Sequence, residues 1–257
     1  MKPFQEQSQV PLIKAEKTIL PSVFIGTSPF FGAGQFKEKA YLYREKFLNY
    51  PEKMAEIFIE AVKLGVPAVQ LIPFPTIVEA IEMARKETNV KIAIVGSLLP
   101  NNIKESLETL ESLDPQAILI HGAITDKRNP YLLKKWINKI KETGITPGLV
   151  SHEPAKTLPW LDKNYEELKY ELIMLPINIS GYLTGKDTPK VLQWIEKTKK
   201  TVIAMKTLVE SNTTIKEALK HAIMQKNVKA IAVGITSKNE AKETLTTLKT
   251  LFEEKQK

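Results

Sequence analysis

Three histidines stand in this sequence, His121, His152 and His221, and the first two lie at the ends of short apolar runs. An imidazole changes charge near neutral pH. At the end of a strand it can therefore pass a proton, orient a substrate by a hydrogen bond, or ligate a metal. Ser151 precedes His152 and Glu153 follows it. His121, His152 and Glu153 together would supply the three protein ligands of a catalytic metal site. No H-x-H, H-E-x-x-H or D-x-D spacing accompanies them. Two readings stay open: metal-assisted hydrolysis or isomerisation on these three residues, and proton or hydrogen-bond donation by His121. His221 falls inside a helical stretch and reads as a surface residue.

Two other segments carry chemistry. Lys206 closes the run TVIAMK (201–206). Burial at a strand end would lower its pKa, as an imine-forming lysine requires. Gly234-Ile235-Thr236-Ser237 leads into a helical pattern. Free backbone N–H groups, two hydroxyls and Lys238 there would suit an anion. Ser237 reads equally well as an ordinary N-cap, with Glu240 three residues on.

These residues need a scaffold that brings distant strand ends together. Eight short apolar runs are predicted as strands: 22–27, 66–72, 90–96, 116–121, 145–150, 171–177, 201–206 and 228–234. Most are continuously apolar, as expected of parallel strands covered on both faces. Between them lie helical patterns, such as Met54, Ile57, Ala61 and Leu64, or Ile215, Ala218, Leu219 and Ala222 behind the capping box Thr214-x-x-Glu217. The fifth helical segment is interrupted by Pro154 and Pro159. Eight strands alternating with helices predict a single (β/α)8 TIM barrel over residues 1–257. A doubly wound open sheet is the alternative, but it lacks its Gly-rich first turn here. In a barrel the site lies at the C-terminal strand ends, which selects Gln70, Ser97, His121, Ser151, His152, Glu153, Asn178, Met205, Lys206, Gly234, Thr236 and Ser237.

Two segments interrupt the beat. Residues 1–20 form an N-terminal extension, expected as a hairpin or plug across the barrel's bottom. The first strand-to-helix connection, 28–50, is long and holds Phe30, Phe31, Phe36, Tyr41, Tyr43, Phe47 and Tyr50. It is expected either as a wall or lid of the pocket, or as an extra helix glued on by its rings. It also offers a surface for homo-oligomer formation.

Composition narrows the class. The chain has 257 residues and no cysteine, which excludes disulfides, thiolate nucleophiles and Cys-ligated metals. The net charge of +8 comes from lysines scattered among glutamates, with only Arg44, Arg85 and Arg128. This reads as solvated, thermophile-like helix faces rather than a nucleic-acid surface. No apolar run reaches a membrane span, and MKPFQEQSQV lacks a leader's apolar stretch, so a cytoplasmic protein acting on a small molecule is expected.

Several stretches, taken in order, resemble the aldo-keto reductase superfamily. They are FIGTSPFFG (24–32), EAVKLGV (60–66), AILIHG (117–122), GLVSHEP (148–154), LIMLPINIS (172–180), TVIAMKTL (201–208) and VKAIAVGITSKNEAKETL (228–245). The resemblance implies a (β/α)8 barrel, oxidoreductase activity, and NADP(H) held across strands five to eight. It implies cofactor contacts from Ser151, Asn178, Met205, Lys206, Gly234, Thr236, Ser237, Lys238 and Glu243. At two cofactor positions His152 replaces Asn and Met174 replaces Gln. It implies a catalytic tetrad of Asp, Tyr, Lys and His. Here the Asp position reads Gln70, Phe74 lies nearest the Tyr position, the third strand ends Gly96-Ser97 without Lys, and only His121 remains. The expectation is therefore a divergent member, either an oxidoreductase with a non-standard site or a non-catalytic ligand-binding or assembly protein on the same scaffold.

Overall fold

A computed structural model describes residues 1–164, 168–209 and 213–256. Eight parallel strands close into a barrel in chain order: β1 (Val23–Gly26), β2 (Ala68–Leu71), β3 (Ala93–Ser97), β4 (Ala117–Ile120), β5 (Thr146–Val150), β6 (Leu172–Pro176), β7 (Thr201–Met205) and β8 (Val228–Gly234). β8 pairs back onto β1, with Gly234 beside Gly26. Seven strands fall within their predicted runs, and β3 ends one residue beyond its run, at Ser97. Almost every strand residue is buried because one face meets the lumen and the other meets helices. Along β1, Phe24 enters the lumen cluster with Ala68, Ala93 and Ala117, while Val23 and Ile25 join the outer core.

The outer layer comprises α1 (Pro51–Lys63), α2 (Pro75–Thr88), α3 (Ile103–Ser112), α4 (Pro130–Glu142), α5 (Pro154–Lys163), α6 (Thr188–Lys197), α7 (Ile215–Ile223) and α8 (Lys238–Gln256). Prolines open α1, α2, α4 and α5, where a missing N–H costs nothing and a fixed φ favours the first turn. This corrects the expectation for α5. Pro154 starts that helix, and Pro159 sits within it at the expense of one backbone hydrogen bond, while Leu158 and Leu161 stay buried. The capping box of α7 forms as its sequence predicts, with Glu217 N–H donating to Thr214 Oγ1. His221 is half-buried rather than a surface residue. No helix among the described residues is long and apolar enough to cross a membrane.

The N-terminal segment closes the bottom. A short helix, Phe4–Gln7, precedes a hairpin of Leu12–Ala15 and Thr18–Pro21. Phe4, Ala15 and Leu20 are buried in the same cluster as the lumen residues. The Thr18 hydroxyl meets that of Thr146 at the start of β5. At the opposite end, the 28–50 connection carries two 3-10 turns and a helix, Lys39–Phe47. Gly32 adopts φ 60°, and a Cβ there would lie 2.2 Å from the Ala40 carbonyl oxygen, so only glycine lets the connection fold back this tightly.

Candidate active site

The C-terminal mouth opens into a cavity of about 640 Å³. Its floor and walls come from strand ends: Gly26, Gln70, Ser97, His121, Val150, His152, Met174, Met205, Lys206 and Gly234. The 28–50 connection supplies the facing wall through Phe31, Gln35, Phe36 and Tyr43. That connection is wall and core at once. Phe30 and Phe47 are fully buried, with ring centroids 4.9 Å apart, and Phe36 packs edge-on against Tyr43 at 5.2 Å.

His121 caps the short helix Gly122–Thr125, its Nδ1 accepting the Ala123 N–H at 3.1 Å. The neutral ring then carries its hydrogen on Nε2, which makes His121 a hydrogen-bond donor. Burial first, and then the charge of Lys206, hold its pKa below the usual histidine value. His152 stands edge-on to His121, ring centroids 5.5 Å apart. Burial, Lys206 and His121 together bring His152 to about 4, against the opposing pull of Asp126. Gly122 makes the pair possible, since a Cβ there would lie 2.8 Å from His152 Nδ1.

Beneath them Asp126 organises the end of β5. Its carboxylate accepts from the Ser151 hydroxyl (2.6 Å), the Thr157 hydroxyl (2.8 Å) and the His152 backbone N–H (2.8 Å). Across the floor, Gln70 Nε2 donates to Ser97 Oγ at 3.1 Å, both residues being buried. A neutral hydrogen bond thus occupies the place where the resemblance implied an Asp and the end of the Lys-bearing strand. Phe74 packs against Phe31 at 5.0 Å and offers no hydroxyl. On the far side Lys206 Nζ donates to Gln35 Oε1, and burial lowers the lysine's pKa to about 8.

Of the predicted site residues, Gln70, Ser97, His121, His152, Met205, Lys206 and Gly234 surround this one cavity. The others lie outside its lining. Ser151 is fully buried with its hydroxyl committed to Asp126. Glu153 pairs with Arg128 at 3.1 Å and Lys156 at 3.6 Å, and the Arg128 bond, followed by the Lys156 charge, depresses its pKa. Asn178 closes its own turn, accepting from the Tyr182 N–H and the Ser180 hydroxyl. Thr236 donates through both N–H and hydroxyl to Glu240, while Ser237 caps α8 by accepting the Glu240 N–H. Lys238 pairs with Glu56 at 3.0 Å. Glu243 sits on α8, where its carbonyl accepts the Thr247 hydroxyl. Thr236, Ser237 and Lys238 instead line a shallower depression of about 290 Å³ with Lys46 and Lys53. Among the described residues no three His, Asp or Glu side chains gather as metal ligands would. The metal-assisted reading of His121, His152 and Glu153 therefore lacks its donor set.

Sequence reasoning missed Asp126 and Gln35, whereas Tyr43 stands in the cavity wall as expected of the 28–50 connection. Asp126 offered one signal, being one of few aspartates in a glutamate-rich chain. It lies one short helix beyond β4, however, where a strand-end rule does not reach.

Neither a family model nor a curated protein matches the chain. Solved structures do. A Pseudomonas aeruginosa protein described as an aldo-keto reductase superposes with TM-score 0.68 at 15% identity, covering 96% of this chain and 98% of that one. A thermostable aldo-keto reductase in complex with the inhibitor epalrestat gives 0.64 at 18% identity, covering 93% and 94%. The holo form of an aldo-keto reductase from Bacillus halodurans gives 0.60 at 12%, covering 95% and 96%. The chain thus has the (β/α)8 barrel fold of the aldo-keto reductases, over nearly its whole length.

Proposed function

We propose that the chain is a small-molecule oxidoreductase that binds NADP(H) along the β7–β8 side of the mouth and acts on a carbonyl or alcohol with His121 as hydrogen-bond donor. The observation that carries this reading is His121, fixed by Ala123 so that Nε2 bears the hydrogen beside a cavity large enough for a ligand. The fold supports a nicotinamide cofactor by analogy.

The residues present fit such a group on one side of the mouth. Thr207 lines the cavity, and its buried Oγ1 has no hydrogen-bond partner among the described residues. Beyond β8, the depression at the start of α8 is lined by Lys46, Lys53, Lys238 and a single carboxylate, Glu56, and this excess of positive charge suits a phosphate. Ser151 and Asn178 do not serve it here, since their polar atoms are spent within the protein. When bound, the nicotinamide would supply hydride transfer. The protein's own part is to seat the substrate oxygen against His121 Nε2 and the Gln70–Ser97 floor, and to exclude water with Phe31, Phe36 and Tyr43.

With Gln70, Ser97 and Phe74 in place of ionisable groups, the floor holds no acid to deliver a proton, so turnover is expected to be slow. Titration of NADPH fluorescence tests the reading directly. Saturable binding below millimolar cofactor, weakened at least tenfold in Thr207→Val, is the expected result. No binding at millimolar NADPH would leave a ligand-binding or assembly protein on a reductase-like scaffold.

A further inference from the structure

Lys206 is the first residue beyond β7, and its backbone is left-handed, with φ 56°. A residue with a full side chain keeps that conformation only where its surroundings impose it, and such positions cluster at functional sites. Its side chain lines the cavity among Val150, Met174 and Met205. Nζ is held by a neutral amide, Gln35 Oε1, and by no carboxylate among the described residues. Burial alone brings its pKa down to about 8. Roughly a tenth of the amine is then unprotonated at pH 7.

The same cavity holds what an amine needs to react with a carbonyl. His121 presents an Nε2–H donor, and His152 beside it is neutral. On the floor, Ser97 accepts from Gln70 Nε2 while its own hydrogen and the Gln70 carbonyl remain for a ligand's hydroxyl.

We propose that Lys206 is a nucleophile that captures small hydroxyaldehydes as imines, an activity independent of any dinucleotide. The Nζ lone pair attacks the carbonyl carbon, a C–N bond forms, and the carbonyl π electrons move to oxygen. That oxygen takes one proton shed by nitrogen, giving a carbinolamine. The hydroxyl, held by a hydrogen bond from His121 Nε2–H, takes nitrogen's remaining proton through solvent, the C–O bond breaks, and water leaves as the nitrogen lone pair forms C=N. Amine and aldehyde become imine and water, with no oxidant or reductant.

Reductive trapping tests this on the full chain without cofactor. The protein is incubated with glycolaldehyde and cyanoborohydride, digested, and each lysine's adduct is quantified by mass spectrometry. Lys206 is expected to label at least tenfold faster than the median surface lysine, and His121→Asn to slow Lys206 about tenfold without changing the others. Lys206→Arg, which keeps the charge and the circular dichroism spectrum, should remove the fast-labelling site. Labelling of Lys206 no faster than surface lysines in the unmutated protein overturns the proposal, whatever the variants do. Because no dinucleotide is present, that result leaves the NADPH titration untouched, and a failed titration leaves this one untouched.

Discussion

His152 stands edge-on to His121 with 5.5 Å between ring centroids, and both imidazoles are held below their usual pKa. Two neutral rings therefore stand side by side in the mouth of this barrel, in the same cavity as the Lys206 amine.

That neutrality sets an acid limit on the fold. His152 titrates near 4 in the folded chain, faced by Lys206, His121 and Asp126, and near 6.5 when unfolded. A base with a depressed folded pKa binds fewer protons folded than unfolded. It costs nothing above pH 6.5 and destabilises progressively as pH falls from 6.5 towards 4, by at most about 3 kcal/mol. His152→Phe should flatten the decline of Tm over that window. An unchanged acid limb would show that His152 is not held neutral.

Asp126 gathers three donors, two from just beyond β5 and one from α5, two of them on fully buried side chains. Asp126→Ala orphans all three and is expected to cost about 3 kcal/mol, roughly 6–12 °C in Tm for a chain of this size. Asp126→Asn keeps one acceptor and should lose less. A thermal shift under 2 °C for the alanine variant would falsify the role given to this carboxylate.

Two glycines allow a ranking of steric cost. A Cβ at Gly148 would lie 2.8 Å from the Leu172 carbonyl oxygen and 2.3 Å from Leu119 Cδ2, while one at Gly96 would meet only the end of the Leu110 side chain. Backbone cannot yield as a leucine tip can. Gly148→Ala is expected to cost about 3 kcal/mol and Gly96→Ala about 1 kcal/mol. Urea denaturation of both variants checks the order, and the reverse order refutes the packing argument.

The 28–50 connection should separate into two kinds of variant. Phe47 is fully buried against Phe30 and the 5.6 Å neighbour pair Phe30–Phe58. Phe47→Ala is expected to cost about 3–5 kcal/mol. Tyr43→Ala, at the cavity wall, should leave Tm within a few degrees and change ligand affinity instead. Equal losses of stability would make the whole connection core.

All eight strands were legible because a parallel strand must be apolar on both faces, and that leaves continuous runs such as AILI and VIAM. The strand-end rule then placed His121, His152, Gln70 and Lys206 around one opening. It misjudged neighbours because one residue past a strand can turn either way: His152 faces the cavity, while Ser151 and Glu153 serve Asp126 and Arg128. Gln35 was illegible for a different reason. Its approach depends on the tight return at Gly32, a matter of dihedral angles that no periodicity records.

The hairpin at the bottom makes the barrel a blind well. Phe4 and Leu20 pack beneath the side chains that fill the lumen, so the cavity above the Gln70–Ser97 floor is reached from the C-terminal side and not along the barrel axis.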